Sequence, residues 1–177
     1  MAERRQSPNA KPRNSLTAKR LRKILHYDPD TGEWRWLKPP FKAPVRPGDR
    51  AGTRSRGYLF IGIGYTKYKS ARLAWLFMTG KWPTLWVDHI DGNPSNDRWS
   101  NLREANASQN TVNKKHHSNN TSGFKGVSWS RYHAKWWAQI CKDYHHIHLG
   151  FFDTPEAAYE AYKAKARELF GEYARLQ

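Results

Sequence analysis

Apolar residues recur at helical spacing in several segments of the chain. Leu21, Ile24 and Leu25 predict a short first helix. It is expected to start near residues 15–17 and to end at the Asp-Pro-Asp-Thr-Gly turn of residues 28–32. Further helices are predicted at residues 72–79, 108–115 and 153–170.

Other segments alternate between apolar and small or polar residues, which is the pattern of a strand with one buried face. In residues 58–65, Leu59, Ile61 and Ile63 alternate with Phe60 and Gly62. Further strands are predicted at residues 33–37, 86–90, 102–105, 128–131, 135–141 and 145–150. Helices and strands in this mixed order predict an α+β fold.

Changes in composition divide the chain into segments. Residues 1–15 are basic and contain two prolines, so a disordered basic arm is predicted there. Residues 114–122 are polar and poor in apolar side chains, which predicts a linker at 118–122. The expected domains are therefore residues 16–117 and 123–177.

The charge of the chain indicates a polyanionic partner. It has 31 Lys and Arg against 15 Asp and Glu, a formal net charge of +16, and nine Trp and nine Tyr. A basic surface kept only for solubility is the alternative, but basic and aromatic residues in this proportion favour nucleic acid.

Several classes of protein are disfavoured. No apolar run reaches the roughly 18 residues that a membrane span needs. The first residues lack the apolar segment of a signal peptide. The single Cys141 excludes an internal disulfide and suits a reducing compartment such as the cytoplasm.

Candidate chemistry is concentrated in residues 87–110. Hydrolysis of a phosphodiester needs a base for water, a cation for the developing charge and ligands for that cation. Asp88, His89 and Asn110 supply these parts, since one carboxylate and one amide oxygen suit Mg²⁺. Asp88 and His89 are adjacent, so on a regular strand they face opposite sides, and a distortion at the strand end is expected. Taken singly, residues 91–97 also fit a turn-forming cluster that ends at Asp97, and His89 also fits a buried structural histidine.

The sequence Asp88-His89-Ile90-Asp91-Gly92-Asn93, with the pair Asn101-Leu102 and with Asn110, resembles the HNH endonucleases of phages and mobile introns. The resemblance covers residues 16–113, including the Tyr-Asp-Pro-Asp-Thr-Gly segment of residues 27–32. It implies a ββα-metal core at residues 86–115, preceded by a β-rich region.

The same resemblance implies roles for individual residues. His89 is expected to be the general base, and Asp88 and Asn110 are expected to hold one Mg²⁺ or Mn²⁺ ion. Asn101 is expected to brace the hairpin of the site. Arg72 is a further candidate, for contact with the scissile phosphate.

A second resemblance covers residues 122–176. Gly126-Val127, residues 135–140, residues 149–154 and residues 156–162 are similar to the AP2/ERF DNA-binding domain. This implies a three-stranded antiparallel sheet packed on one helix, with the exposed face of the sheet in the major groove. The candidate DNA contacts are Lys125, Arg131, Tyr132, Lys135 and Lys142. Near the positions where that family carries sheet arginines, this chain has Ser128, Ser130, Cys141, His146 and His148.

Together these observations predict a metal-dependent DNA endonuclease that is phage-encoded, works in the cytoplasm of a bacterial host and is of homing type. Double-stranded DNA is the expected partner, cut to 5′-phosphate and 3′-hydroxyl ends, with no membrane and no organic cofactor. A single HNH core is expected to nick one strand. The alternative is a non-catalytic DNA-binding regulator that retains a degenerate HNH scaffold.

Overall fold

The computed structural model describes residues 16–41, 43–113 and 120–176. The basic arm predicted at residues 1–15, the last two residues of the helix predicted at 108–115 and the first two residues of the linker predicted at 118–122 lie outside these residues. The chain divides into two compact units between Glu104 and Ala105. Both units mix helices and strands, which confirms the predicted α+β class.

The N-terminal unit contains three small sheets and two α-helices. Its described elements are α1 (Ala18–Ile24), β1 (Leu25–Tyr27), β2 (Trp34–Trp36), β3 (Thr53–Ser55), β4 (Tyr58–Ile63), β5 (Thr66–Lys69), α2 (Ser70–Thr79), β6 (Trp86–His89), a 3-10 turn (Trp99–Asn101) and β7 (Leu102–Ala105). β1 pairs with β2 in antiparallel register. β3, β4 and β5 form an antiparallel sheet in that order, and β6 lies beside β7.

Two sequence-based boundaries in this unit are wrong. Leu25 was expected in the first helix, but it starts β1 and pairs with Trp36. The strand predicted at residues 58–65 ends at Ile63, because Gly64 adopts a left-handed conformation with φ of 62° and turns the chain into β5, a strand that was not predicted. Tyr65 continues the apolar alternation of the sequence but lies in the turn and is fully exposed, so periodicity alone did not reveal where the strand ends.

The core of the N-terminal unit lies between α1, α2 and the sheets. Leu21, Leu25, Ile61 and Leu73 are fully buried in it. The Tyr27 and Trp34 rings pack at 4.7 Å between centroids. Burial of these large side chains provides the main stabilisation of a unit with such short strands.

The C-terminal unit is a three-stranded antiparallel sheet covered by one long helix. Its elements are α3 (Ala107–Asn113), β8 (Val127–Ser130), β9 (Lys135–Lys142), β10 (His145–Phe152), α4 (Pro155–Phe170) and a 3-10 turn (Gly171–Tyr173). The sheet order is β10-β9-β8. The predicted helix start is confirmed, since Thr154 caps α4 and Pro155 is its first residue.

The core of this unit depends on close packing between α4 and the sheet. Ala158, Tyr162 and Ala166 on α4 are buried. Gly126 lies so close to Tyr162 that a β-carbon would fall 2.3 Å from its ring. Val112 on α3 packs in the same cluster as Tyr162, so the boundary between compact units falls before α3. The sequence-based limits at 117 and 123 stay a prediction of functional domains.

None of the helices in the described part of the chain has the length and apolar character needed to cross a membrane.

Replacing Leu73 by alanine is expected to lower the free energy of unfolding by about 2–5 kcal/mol, because the change leaves a cavity in the core. Met78 lies on the same helix but is 37% exposed, so Met78→Ala is the matched control and should cost about 0.5 kcal/mol or less. Chemical denaturation followed by tryptophan fluorescence measures both. Equal losses would contradict the burial of the Leu73 face.

Candidate active site

Asp88 and His89 are the last two residues of β6, and both are buried. Asp88 contacts Arg103 on β7, whereas His89 contacts Asp97 in the loop between the two strands. Their different partners agree with the opposite directions of adjacent side chains on a strand. The carbonyl of His89 accepts a hydrogen bond of 2.8 Å from the Gly92 N–H, so the strand ends in a tight turn directly after His89.

His89 is held by a buried carboxylate. Its Nε2 lies 2.9 Å from Oδ1 of Asp97, and Asp97 is only 3% exposed. The hydroxyl of Ser70, the first residue of α2, donates a hydrogen bond to the other oxygen of Asp97. A carboxylate can only accept, so Nε2 carries the proton and Nδ1 of a neutral His89 carries the lone pair. This is the state that a general base needs.

The backbone of Asp97 is fixed by the segment that follows β1. The Tyr27 hydroxyl donates to the Asp97 carbonyl at 2.6 Å. Burial raises the pKa of Tyr27, and the nearby carboxylates of Asp97 and Asp28 raise it further, so the phenol keeps its proton and donates. Gly32 lies against the same peptide, where a β-carbon would be 2.6 Å from the Asp97 carbonyl carbon.

Asn101 connects the two sides of the loop that follows β6. Its Nδ2 donates to Oδ1 of Asp91 at 2.9 Å and to the carbonyl of Asn96 at 2.8 Å. Its Oδ1 accepts from the Asp91 N–H at 3.0 Å. Partial burial alone would raise the pKa of Asp91, but hydrogen bonds from Asn96, Asn93 and Asn101 outweigh it and lower that pKa. The Asn101 side chain therefore acts on the loop, not on a ligand that it faces.

The two predicted metal ligands belong to different compact units. Asp88 lies in the N-terminal unit, where its Oδ2 is 3.4 Å from both Nε and Nη2 of Arg103. Asn110 lies on α3, in the C-terminal unit. Among the described residues no group of three or more His, Cys, Asp or Glu is arranged to hold a metal ion.

Arg72 projects from α2 and is partly buried by its neighbours. Its Nη1 is 3.4 Å from the Leu85 carbonyl, and its guanidinium lies 5.9 Å from the Trp82 ring centre. Burial lowers the pKa of Arg72, although Glu104 opposes the effect. These contacts place Arg72 within the packing of the N-terminal unit, so its predicted role in phosphate contact stays a prediction.

The predicted DNA contacts of the C-terminal unit differ in how far their side chains are engaged within the protein. Lys125 donates to the carbonyls of Thr111 and Val112 and so stabilises the end of α3. Lys135 forms an ion pair of 2.9 Å with Asp153, whereas Lys142 is half-buried at the end of β9. Arg131 and Tyr132 occupy the turn between β8 and β9, where Tyr132 is 93% exposed. The structure thus brings Arg131 and Tyr132 together on an accessible turn.

Sequence patterns did not identify three residues that organise the site. Asp97 was assigned only to a turn-forming cluster, Tyr27 only to a family-like segment, and Ser70 was not considered. The position of Asp97, eight residues after His89 within one polar loop, was a usable signal. Nothing in local sequence indicated that Tyr27 reaches it, because the two are 70 positions apart.

Comparisons with known proteins find similarity in a part of the chain that includes His89. The family described as HNH endonuclease matches residues 68–112. The chain is 38% identical over 92 residues to "Protein 3.8" of Escherichia phage T7. The matched residues make up 52% of this chain and 75% of that protein. It is also 38% identical over 100 residues to "Uncharacterized HNH endonuclease L560" of Acanthamoeba polyphaga mimivirus, or 56% of this chain and 51% of that protein. No solved structure matches the chain significantly.

Substitution of Gly32 by alanine tests whether residues 28–32 position Asp97. Gly32 and Gly64 both have positive φ, so each alanine should cost about 1–2 kcal/mol of backbone strain. Only Gly32 adds a clash with the Asp97 backbone, while Gly64 has open space around it. We expect Gly32→Ala to lose more unfolding free energy than Gly64→Ala and to shift the imidazole NMR signals of His89. Equal losses with unchanged His89 signals would contradict this contact.

Proposed function

The chain belongs to the HNH endonuclease family, and from that premise we propose that it is a metal-dependent DNA endonuclease with His89 as general base. The buried pair of His89 and Asp97 is the observation that carries the proposal. A histidine near a protein surface needs no such partner. A carboxylate buried beside its Nε2 sets one tautomer and stabilises the positive charge that the ring acquires when it takes a proton.

In the proposed reaction, His89 Nδ1 removes a proton from water. The water oxygen forms a bond to phosphorus, and the bond from phosphorus to the 3′ oxygen breaks. The leaving oxygen takes a proton from solvent, which yields a 5′-phosphate and a 3′-hydroxyl. Asp97 stabilises the imidazolium, and Asn101 holds the loop that carries Asp97. Asn101 is therefore a positioning residue in this proposal.

Asp88 and Asn110 are the residues that would hold the metal ion, with Mg²⁺ or Mn²⁺ as the proposed ion, one per site. A carboxylate and an amide oxygen fit a hard divalent cation that keeps several water ligands. Asp88 Oδ2 lies 3.4 Å from Arg103 Nη2, so a bound cation would share this carboxylate with a positive side chain. When bound, the ion stabilises negative charge on the scissile phosphate and its leaving oxygen.

We further propose that the C-terminal unit selects the cleavage site, as an AP2-like domain, on double-stranded DNA. Its three-stranded sheet with one covering helix supports this, and so does the exposed turn of Arg131 and Tyr132. A narrow antiparallel sheet fits the major groove of DNA. Lys135 and Lys142, at the ends of β9, are further proposed contacts. A phage-encoded homing role in the bacterial cytoplasm completes the proposal.

One observation favours the alternative of a non-catalytic DNA-binding regulator. Asp88 is paired with Arg103, and a positive side chain beside a metal ligand opposes cation binding. A regulator of this kind would bind DNA with the same fold but would not cut it. Cleavage assays decide between the two functions.

Supercoiled plasmid incubated with Mg²⁺ is expected to be nicked, and EDTA should stop the reaction. His89→Ala should lower the nicking rate by about 10²–10⁴-fold, because the general base is lost. Gel-shift affinity of the variant for the same DNA serves as the control for folding and binding. Wild-type protein that binds but never relaxes the plasmid with Mg²⁺ or Mn²⁺ would favour the regulator.

Asp97→Asn is expected to slow nicking by about 10²-fold or more, because the new amide donates to Nε2 and forces the His89 proton onto Nδ1. The double variant with His89→Ala should be no slower than His89→Ala alone, since Asp97 acts through His89. Asp97→Glu should recover part of the rate. Additive losses in the double variant would assign Asp97 a purely structural role.

A further inference from the structure

One side of the β3-β4-β5 sheet faces solvent beside the proposed active site. Strand alternation places Leu59, Ile61, Ile63 and Tyr68 in the core of the N-terminal unit. The opposite side carries Tyr58, Phe60 and Gly62 on β4 with Lys67 and Lys69 on β5, paired Phe60 to Lys69 and Gly62 to Lys67. We call these five residues the basic sheet face.

The basic sheet face reaches His89 through two ring contacts. The ammonium of Lys69 lies 4.2 Å from the centre of the Tyr58 ring. The Tyr58 ring centre is in turn 6.2 Å from that of His89. Lys69 on β5 is therefore separated from the proposed base, His89, by a single side chain, that of Tyr58. The Tyr58 side chain is 36% exposed.

The turn between β3 and β4 anchors this face to the loop after β6. Ser95 donates its hydroxyl proton to the Gly57 carbonyl at 2.8 Å, and Arg54 Nη2 lies 3.4 Å from the Ser95 carbonyl. Gly57 lies so close to Pro94 that a β-carbon would fall 2.9 Å from the proline ring. The face and the loop that supports His89 are thus held in one fixed arrangement within the N-terminal unit.

The charge of this region has a single sign. Residues 50–87 contain no Asp or Glu, and the first acidic residue after them is Asp88. Lys67 and Lys69 are both exposed and, two positions apart on one strand, project from the same face about 7 Å apart. Gly62, opposite Lys67, has open space where a side chain would stand, so a polymer can approach the backbone closely. The Lys and Arg residues of the segment are Arg50, Arg54, Arg56, Lys67, Lys69, Arg72 and Lys81.

From these observations we propose that the basic sheet face binds the phosphate backbone of the DNA next to the scissile bond and leads it to His89. The inference rests on the proposed nuclease function and adds the residues that hold the substrate. It assigns this contact to β5, which sequence analysis did not single out, and not to Arg72. An ammonium group is suited to this role because it contacts phosphate without reading base sequence.

The test is equilibrium binding of full-length protein to a DNA duplex, in EDTA so that no cleavage is needed, as a function of salt. The Lys67→Ala, Lys69→Ala double variant is expected to bind more weakly and to lower the log–log salt slope by about 2, since each lost phosphate contact removes about 0.9. The Lys19→Ala, Lys23→Ala double variant, which removes the same charge from the exposed surface of α1, should keep the wild-type slope. The Lys67→Arg, Lys69→Arg variant retains both charges and should also keep it.

The outcomes separate this inference from the proposed function. A wild-type slope in Lys67→Ala, Lys69→Ala, or an equal drop in the α1 variant, would overturn the inference even if plasmid nicking is observed. A reduced slope confined to the β5 variant would support it even if the protein never nicks DNA. Thermal unfolding of each variant shows whether the fold is retained. Should the alanine variant not fold, the Lys67→Gln, Lys69→Gln variant, which removes the same two charges but keeps longer side chains, should lower the slope by the same amount, and a wild-type slope in it would overturn the inference.

Discussion

The structure around His89 depends on the burial of one carboxylate. Removing a charged group from water costs several kcal/mol unless hydrogen bonds replace the lost solvation. Asp97 is 3% exposed, and its oxygens receive the Ser70 hydroxyl and His89 Nε2. Since neither partner is itself exposed, the solvation of Asp97 depends on both being in place, and the site is held together by that requirement.

The elements that meet at Asp97 come from distant parts of the chain. Tyr27 ends β1, Gly32 belongs to the turn before β2, Ser70 begins α2 and His89 ends β6. These elements also pack in the core of the N-terminal unit, so the geometry of the proposed base is coupled to the folding of that unit. Because a histidine positioned by a packed core has little freedom, its Nδ1 can be presented without a further cost in entropy.

Basic and acidic residues are separated along the sequence of the N-terminal unit. Its Asp and Glu residues lie on either side of the segment 50–87, which contains basic residues but no Asp or Glu. Asp88 at the end of β6 follows directly, and the loop after β6 adds Asp91 and Asp97. A polyanion is attracted to the first surface and repelled by the second, so the reacting phosphate needs the proposed cation near Asp88 to approach it.

The sequence by itself determined the fold class and most helices and strands, and it singled out Asp88, His89 and Asn101 as candidate site residues. Those features depend on local patterns: alternation, helical spacing, capping residues and a motif within about 25 positions. The helix predicted at residues 153–170 was recognised in this way, and it corresponds to α4.

Only the tertiary structure decided how the base is held and where the compact units divide. Tyr27 and Ser70 reach Asp97 across 70 and 27 positions, and Val112 draws α3 into the C-terminal core. The turn at Gly64 pairs β5 with β4 and so places Lys67 and Lys69 on the basic sheet face. Contacts of this kind leave no local period in the sequence, because they are specified by the packing of side chains that only the folded chain brings together.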